Sequence, residues 1–115
     1  MSSIIAKVAE LGREETGYVI IDVRNQEEII ATGKLDPVVE TLPLPLIGNA
    51  MQMEEEDFLE QFGFDKPQLD ETVVFTCKAG IRSMQASQFA AMCGYGKLVN
   101  YRGGADEWFG STAGW

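Results

Sequence analysis

The sequence predicts an α/β domain built on a mostly parallel sheet, with helices on both faces. Three observations carry this expectation. Two β-branched runs, Tyr18-Val19-Ile20-Ile21-Asp22-Val23 and Thr72-Val73-Val74-Phe75-Thr76, are nearly continuous in apolar character, as strands covered on both faces are. Stretches with helical apolar spacing alternate with them. Glycines at Gly12, Gly17, Gly33 and Gly94 punctuate the junctions.

In order along the chain, Ser2 or Ser3 caps a first helix through Leu11, with Ile4, Ile5, Val8 and Leu11 on one face and Gly12 past its end. Gly17 opens the first strand, Tyr18 to Val23. Asn25 caps a short helix, Gln26 to Thr32, that stops at Gly33. The segment Lys34 to Asn49 holds three of the four prolines, Pro37, Pro43 and Pro45, and is the hardest to read. A short strand, Val38 to Leu42, is expected in it, ended by the restriction Pro43 places on its neighbour. Glu54 to Phe64 reads as a helix with Phe58, Leu59 and Phe62 inward; its acidic start, Glu54-Glu55-Glu56-Asp57, suits a helix N-terminus. After Pro67 and Asp70 comes the strand Thr72 to Thr76, then a helix from Ser83 to Cys93 ended by Gly94. Lys97 to Tyr101 is a further short strand, and Gly103-Gly104 opens a last short helix carrying Trp108 and Phe109.

Composition narrows the function. The 115 residues suffice for one domain with one core, residues 1–115. No apolar run approaches the ~20 residues of a membrane span. Met1 to Gly12 lacks the basic start and apolar block of a secretion signal and the arginines of a transit peptide, so a cytoplasmic location is the default expectation. A net charge of −9 argues against nucleic acid and anionic membranes as partners. Two cysteines and no histidine leave no ligand set for structural zinc and no Cys–His or Ser–His–Asp machinery. No metal and no cofactor are expected.

Ligands of parallel α/β sheets sit beyond the carboxyl ends of the strands. Three features fall there: Asp22-Val23-Arg24, the loop at Cys77, and Tyr101-Arg102-Gly103-Gly104. The second is the most informative. A strand delivers Cys77 into Lys78-Ala79-Gly80-Ile81-Arg82-Ser83, a short loop with one glycine and two cations that runs straight into a helix. Loop N–H groups, the first turn of the helix, Lys78 and Arg82 all add positive potential at the sulfur, the setting of a low-pKa thiolate. The alternative is a small buried hydrophobe. The polar, turn-forming neighbours place Cys77 at the mouth of the strand and favour the nucleophile. Cys93 lies on the face Ala86, Phe89, Ala90, Cys93, with core spacing. One helix length separates it from Cys77, about 16 Å at the α-helical rise, against the ~7 Å a disulfide tolerates. It reads as core ahead of a resolving thiol. Met51 and Met53 read as core or solvent-facing side chains ahead of a partner surface.

Together these residues resemble the rhodanese family of sulfurtransferases. The resemblance rests on Asp22-Val23-Arg24 followed by Glu27-Glu28, on Cys77 to Ser83, and on Gly103-Gly104 with Trp108 after them. Small single-domain thiosulfate sulfurtransferases, including those that use glutathione, are the more similar subgroup. Met51-Gln52-Met53 before an acidic helix, Lys66-Pro67-Gln68-Leu69, and Val73 to Gln88 carry that likeness. The chain departs from the family at Gly33 to Pro43, where Gly-His-Ile-Pro-Gly-Ala and then Asn-Ile-Pro are common.

The resemblance implies a single rhodanese-like domain with a mostly parallel central sheet of about five strands. It also implies a reaction. The Cys77 thiolate takes the outer sulfur of thiosulfate or another persulfide donor, and passes it to a small thiol such as glutathione, to thioredoxin or another protein thiol, or to cyanide. Lys78, Ala79, Gly80, Ile81, Arg82 and Ser83 would hold the donor and stabilise shifting charge. Asp22, with Arg24, would orient the loop; capping its own turn is the equal alternative. Arg102 and Trp108 would line the cleft, with Trp108 also readable as core. A phosphatase or arsenate reductase of similar fold typically has five residues between cysteine and arginine, whereas four separate Cys77 from Arg82. A non-catalytic or redox-sensing domain is the other alternative. Oligomeric state and the physiological donor and acceptor are not set by these residues.

Overall fold

The computed structural model describes residues 2–33, 39–77 and 81–101. Among them are four strands, β1 (Tyr18–Asp22), β2 (Glu40–Thr41), β3 (Thr72–Thr76) and β4 (Leu98–Tyr101). They form one sheet in the order β2-β1-β3-β4, every pair parallel. The helices are α1 (Ser2–Thr16), α2 (Gln26–Thr32), α3 (Leu44–Ala50), α4 (Glu55–Phe62) and α5 (Ile81–Met92). The α/β architecture expected from the sequence is the one observed. The last short helix, with Trp108 and Phe109, lies outside the described residues.

The continuous apolar runs bury both faces of the central strands. Val19, Ile21, Val23, Val73, Phe75 and Cys77 point to one side and share a core with α3, α4 and α5 through Ile47, Ala50, Phe58, Ala86 and Ala90. Ile20 and Val74 alternate with them and are equally buried outside that cluster. α1 packs against β1, and its Val8 is buried outside the same cluster. Each such side chain contributes about 1.5–3 kcal/mol of burial. The register aligns the carboxyl ends of the sheet: Asp22 stands opposite both Thr41 and Thr76, and Thr76 opposite Tyr101. Residues leaving β1 and β3 therefore emerge along one edge, at which β4 also ends.

Several expectations change in detail. α1 continues to Thr16, with a break at Gly12, whose φ of 86° and ψ of 166° leave the helical region. Leu11 is exposed, not inward. The turn beyond the break is anchored by charge: the Arg13 guanidinium pairs with both Glu71 oxygens at 2.8 Å and donates to the Asp65 carbonyl at 2.7 Å. In α4, Phe58 packs on Phe62 at 4.8 Å with the rings tilted by 56° and meets Phe64 edge-on at 5.1 Å, while Leu59, about 100° round the helix, is exposed. Phe89 likewise lies at the margin of the Ala86–Ala90–Cys93 stripe and is exposed. Cys93 is partly buried against the core, as expected. Met51 is buried and Met53 packs on the same core, so neither forms a surface patch.

The proline-rich segment holds the one unforeseen helix. β2 is only Glu40–Thr41, and Pro43 and Pro45 flank the start of α3 rather than ending a strand. Proline has no N–H to lose in the first turn of a helix and its φ already suits one. α3 then buries Ile47 and Ala50 against α5.

Candidate active site

Cys77 directly follows β3 at the carboxyl edge of the sheet, where the sequence places it, but only 1% of its surface is exposed. Its period-two position explains the burial. It continues the inward row of Val73 and Phe75, and the first turn of α5 closes over it. The sulfur lies 3.5 Å from Ser83 Oγ. Ser83 is fully buried as the third residue of α5, and its hydroxyl also hydrogen-bonds the side-chain amide of Asn100. Asn100 stands on β4 opposite Phe75. The sulfur thus faces the N-terminal turn of a 12-residue helix, the end whose dipole favours negative charge.

Asp22 ends β1 with its carboxylate turned onto Arg24. Oδ1 accepts from the Arg24 backbone N–H at 3.0 Å, and the guanidinium donates from Nε at 2.9 Å and Nη2 at 2.7 Å to Oδ2. Both side chains are almost fully buried, at 2% and 1% exposure. One carboxylate thus caps the turn after the strand and pairs with Arg24, while the loop that Asp22 was expected to orient lies outside the described residues. Arg24 Nη2 also donates to the Gly33 carbonyl at 3.3 Å, beyond the last turn of α2.

Arg82 differs from expectation. The sequence reading made it a cation available to an anionic donor; the structure pairs it with Glu28. The two terminal guanidinium nitrogens each donate to one carboxylate oxygen, Nη1 to Oε1 and Nη2 to Oε2, the latter at 2.7 Å. The bond to Arg82 holds the Glu28 carboxyl down to a pKa of about 2 from its ordinary 4.5, and Glu28 in turn raises the pKa of Arg82. The charges of Cys77 and Asp22 push Arg82 in the same direction, which sets all three in one electrostatic neighbourhood. Glu28 is itself held by α2: Asn25 Oδ1 accepts from the Glu28 N–H at 2.9 Å, and the Glu28 carboxylate reaches back to the Asn25 N–H in a capping box.

The structure therefore brings together Cys77, Ser83, Arg82, Asp22 and Arg24. Ile81 begins α5. Lys78, Ala79, Gly80, Arg102 and Trp108 lie outside the described residues. Sequence reading missed Asn100 entirely and missed the Glu28–Arg82 pair, although Asn25-x-x-Glu28 is a recognisable capping-box pattern. Among the described residues no cluster of His, Cys, Asp or Glu could hold a metal ion. A polar cleft lined by Arg13, Glu55, Lys66 and Glu71 belongs to the opposite, amino-terminal edge of the sheet.

Thr76, beside Cys77, is fully buried, and its hydroxyl has no hydrogen-bond partner among the described residues. An unmet buried hydroxyl is destabilising, so Thr76→Val, of the same shape, is expected to raise unfolding stability by about 1 kcal/mol. Urea denaturation of the two proteins reads this directly, and a loss of stability would show that the hydroxyl is satisfied in solution.

The match to known proteins agrees with this geometry. Residues 6–111 match the family model of the rhodanese-like domain. Human thiosulfate:glutathione sulfurtransferase is 39% identical over 90 residues, covering 77% of this chain and 76% of that protein. The mouse thiosulfate sulfurtransferase/rhodanese-like domain-containing protein 3 is 40% identical over 90 residues, 78% of this chain but 57% of the mouse protein, so the likeness spans little more than half of that relative. The solved human single-domain sulfurtransferase TSTD1 superposes with a TM-score of 0.80 at 34% identity, covering 96% of this chain and 92% of that one. The chain therefore belongs to the rhodanese family of sulfurtransferases.

Proposed function

We propose that this protein carries a sulfane sulfur from thiosulfate, or a related persulfide donor, to a thiol acceptor through a persulfide on Cys77. The observation that carries the reading is the Cys77 sulfur at the carboxyl edge of a parallel sheet, against the first turn of α5 and within 3.5 Å of Ser83 Oγ. The chain has no histidine, so the thiolate must form without an imidazole base. The positive end of α5 is the feature that favours it.

The thiolate then attacks the outer sulfur of thiosulfate. A bond forms between Cys77 Sγ and that sulfur as the sulfur–sulfur bond of thiosulfate breaks, and sulfite leaves with the electron pair. An acceptor thiolate, for which glutathione is the first candidate, next attacks the outer sulfur and releases Cys77 as thiolate.

Incubation with thiosulfate followed by intact-protein mass spectrometry tests the first half. A gain of one sulfur, about 32 Da, is expected on the wild type and not on Cys77→Ser. Absence of the gain on folded, reduced wild type would remove thiosulfate as donor.

Because Glu28 neutralises Arg82, the two residues should affect the donor in opposite directions. Arg82→Ala is expected to raise KM for thiosulfate roughly tenfold, while Glu28→Gln, which releases the guanidinium, lowers it. If both variants raise KM alike, the pair acts only as a strut between α2 and α5.

A further inference from the structure

We propose that Asn100 is a positioning residue for the Cys77 nucleophile, acting through Ser83. This rests on Cys77 being the nucleophile of sulfur transfer. The Ser83 hydroxyl has one proton, and its oxygen faces both the Cys77 sulfur, at 3.5 Å, and the Asn100 amide. While Cys77 is a thiol, its S–H points to Ser83 Oγ, and Ser83 donates to the Asn100 carbonyl oxygen. Once the thiol has lost its proton to solvent, the sulfur can only accept. Ser83 then turns its own O–H to the sulfur, and Asn100, which had accepted from it, donates to its oxygen. Asparagine meets both demands, because a half-turn of its flat amide exchanges Oδ1 for Nδ2. No covalent bond at Ser83 or Asn100 changes; only the direction of the two hydrogen bonds reverses.

The bias of this relay follows from charge. A hydrogen bond to a thiolate is about twice as strong as its neutral counterpart. The arrangement with Asn100 donating to Ser83, and Ser83 to sulfur, therefore gains more than the reverse one. Placement is fixed by the fold: Asn100 stands in β4 opposite Phe75, two residues before Cys77, Ser83 is in the first turn of α5, and α5 packs on β4. Ser83 is fully buried, so bulk water does not replace its partners.

The test is the pH dependence of iodoacetamide alkylation, followed by intact mass in a Cys93→Ser background where Cys77 is the sole thiol. Asn100→Asp keeps the shape but can only accept, so it draws the Ser83 proton away from sulfur. It is expected to raise the thiol pKa by roughly one unit or more. Asn100→Ala should shift it less, in the same direction, and serves if the aspartate variant does not fold. Each shift should shrink in a Ser83→Ala background, since Asn100 acts through that hydroxyl. An unshifted pKa, or shifts as large without the hydroxyl as with it, would overturn the proposal. The thiosulfate mass gain is independent of this titration. Wild type that gains sulfur while the variants titrate normally counts against the Asn100 relay alone. Variants that shift as expected in a protein that takes no sulfur count against the transfer reading alone.

Discussion

Cys77→Ser is expected to lower sulfite release from thiosulfate by a factor on the order of 10⁴ or more, with the fold retained. The substitution exchanges sulfur for oxygen at a buried position and preserves shape, so thermal unfolding should change little. Chemistry is what disappears. A serine hydroxyl is not ionised near neutral pH, and the chain has no histidine to take its proton. The positive end of α5 that suffices for a thiol cannot suffice for an alcohol, whose pKa lies far higher. Cys93→Ser is the internal control. That residue is partly buried against the core beyond the last turn of α5, and its loss should leave most of the turnover. Steady-state sulfite release with glutathione or cyanide as acceptor separates the two. A Cys77→Ser enzyme within tenfold of wild type would end the persulfide mechanism. An equally inactive but folded Cys93→Ser would make Cys93 part of the chemistry.

What the sequence reveals follows from the range of the interactions. β1 and β3 are legible because strands buried on both faces must be apolar at every position, and their bounds show in the run itself. The start of α2 is legible because its cap, Asn25, is local. Cys77 is legible because its loop is contiguous. α3 is not, since proline reads as a breaker unless one knows that it occupies the first turn of a helix. Leu59 and Phe89 are misjudged because hydrophobicity alone does not say how wide the buried stripe is. The state of Arg82 is hidden for another reason: its partner Glu28 is 54 residues away, joined to it only when α2 and α5 meet. Asn100 is hidden similarly, as one polar residue in a short strand whose role depends on the parallel register with β3. The proposed nucleophile is thus local in sequence, whereas the groups that surround it are assembled by topology.

That assembly predicts where the fold is most vulnerable. Arg24→Met is expected to cost about 3–5 kcal/mol of unfolding free energy, because it leaves the Asp22 carboxylate buried without its counter-ion. Asp22→Asn should cost somewhat less, since the amide oxygen still caps the Arg24 N–H while the guanidinium loses its charge partner. Such losses approach half the stability of an ordinary domain. The double variant should be more stable than the sum of the single losses implies, as two residues in one buried network are coupled. Urea unfolding of the four proteins reads the cycle, and strict additivity would mean that the pair is not coupled in solution. The consequences should reach the site without touching the nucleophile. Arg24 holds the Gly33 carbonyl at the end of α2, and α2 presents Glu28 to Arg82 in the first turn of α5. Asp22, Arg24, α2, Glu28 and Arg82 thus form one continuous strut from the end of β1 to the helix that covers Cys77. A broken Asp22–Arg24 pair should therefore slow persulfide formation even at low temperature, where the variant is still folded. A stability loss with an unchanged rate of sulfur uptake would show instead that α5 holds its place through its packing on α3, β3 and β4 alone.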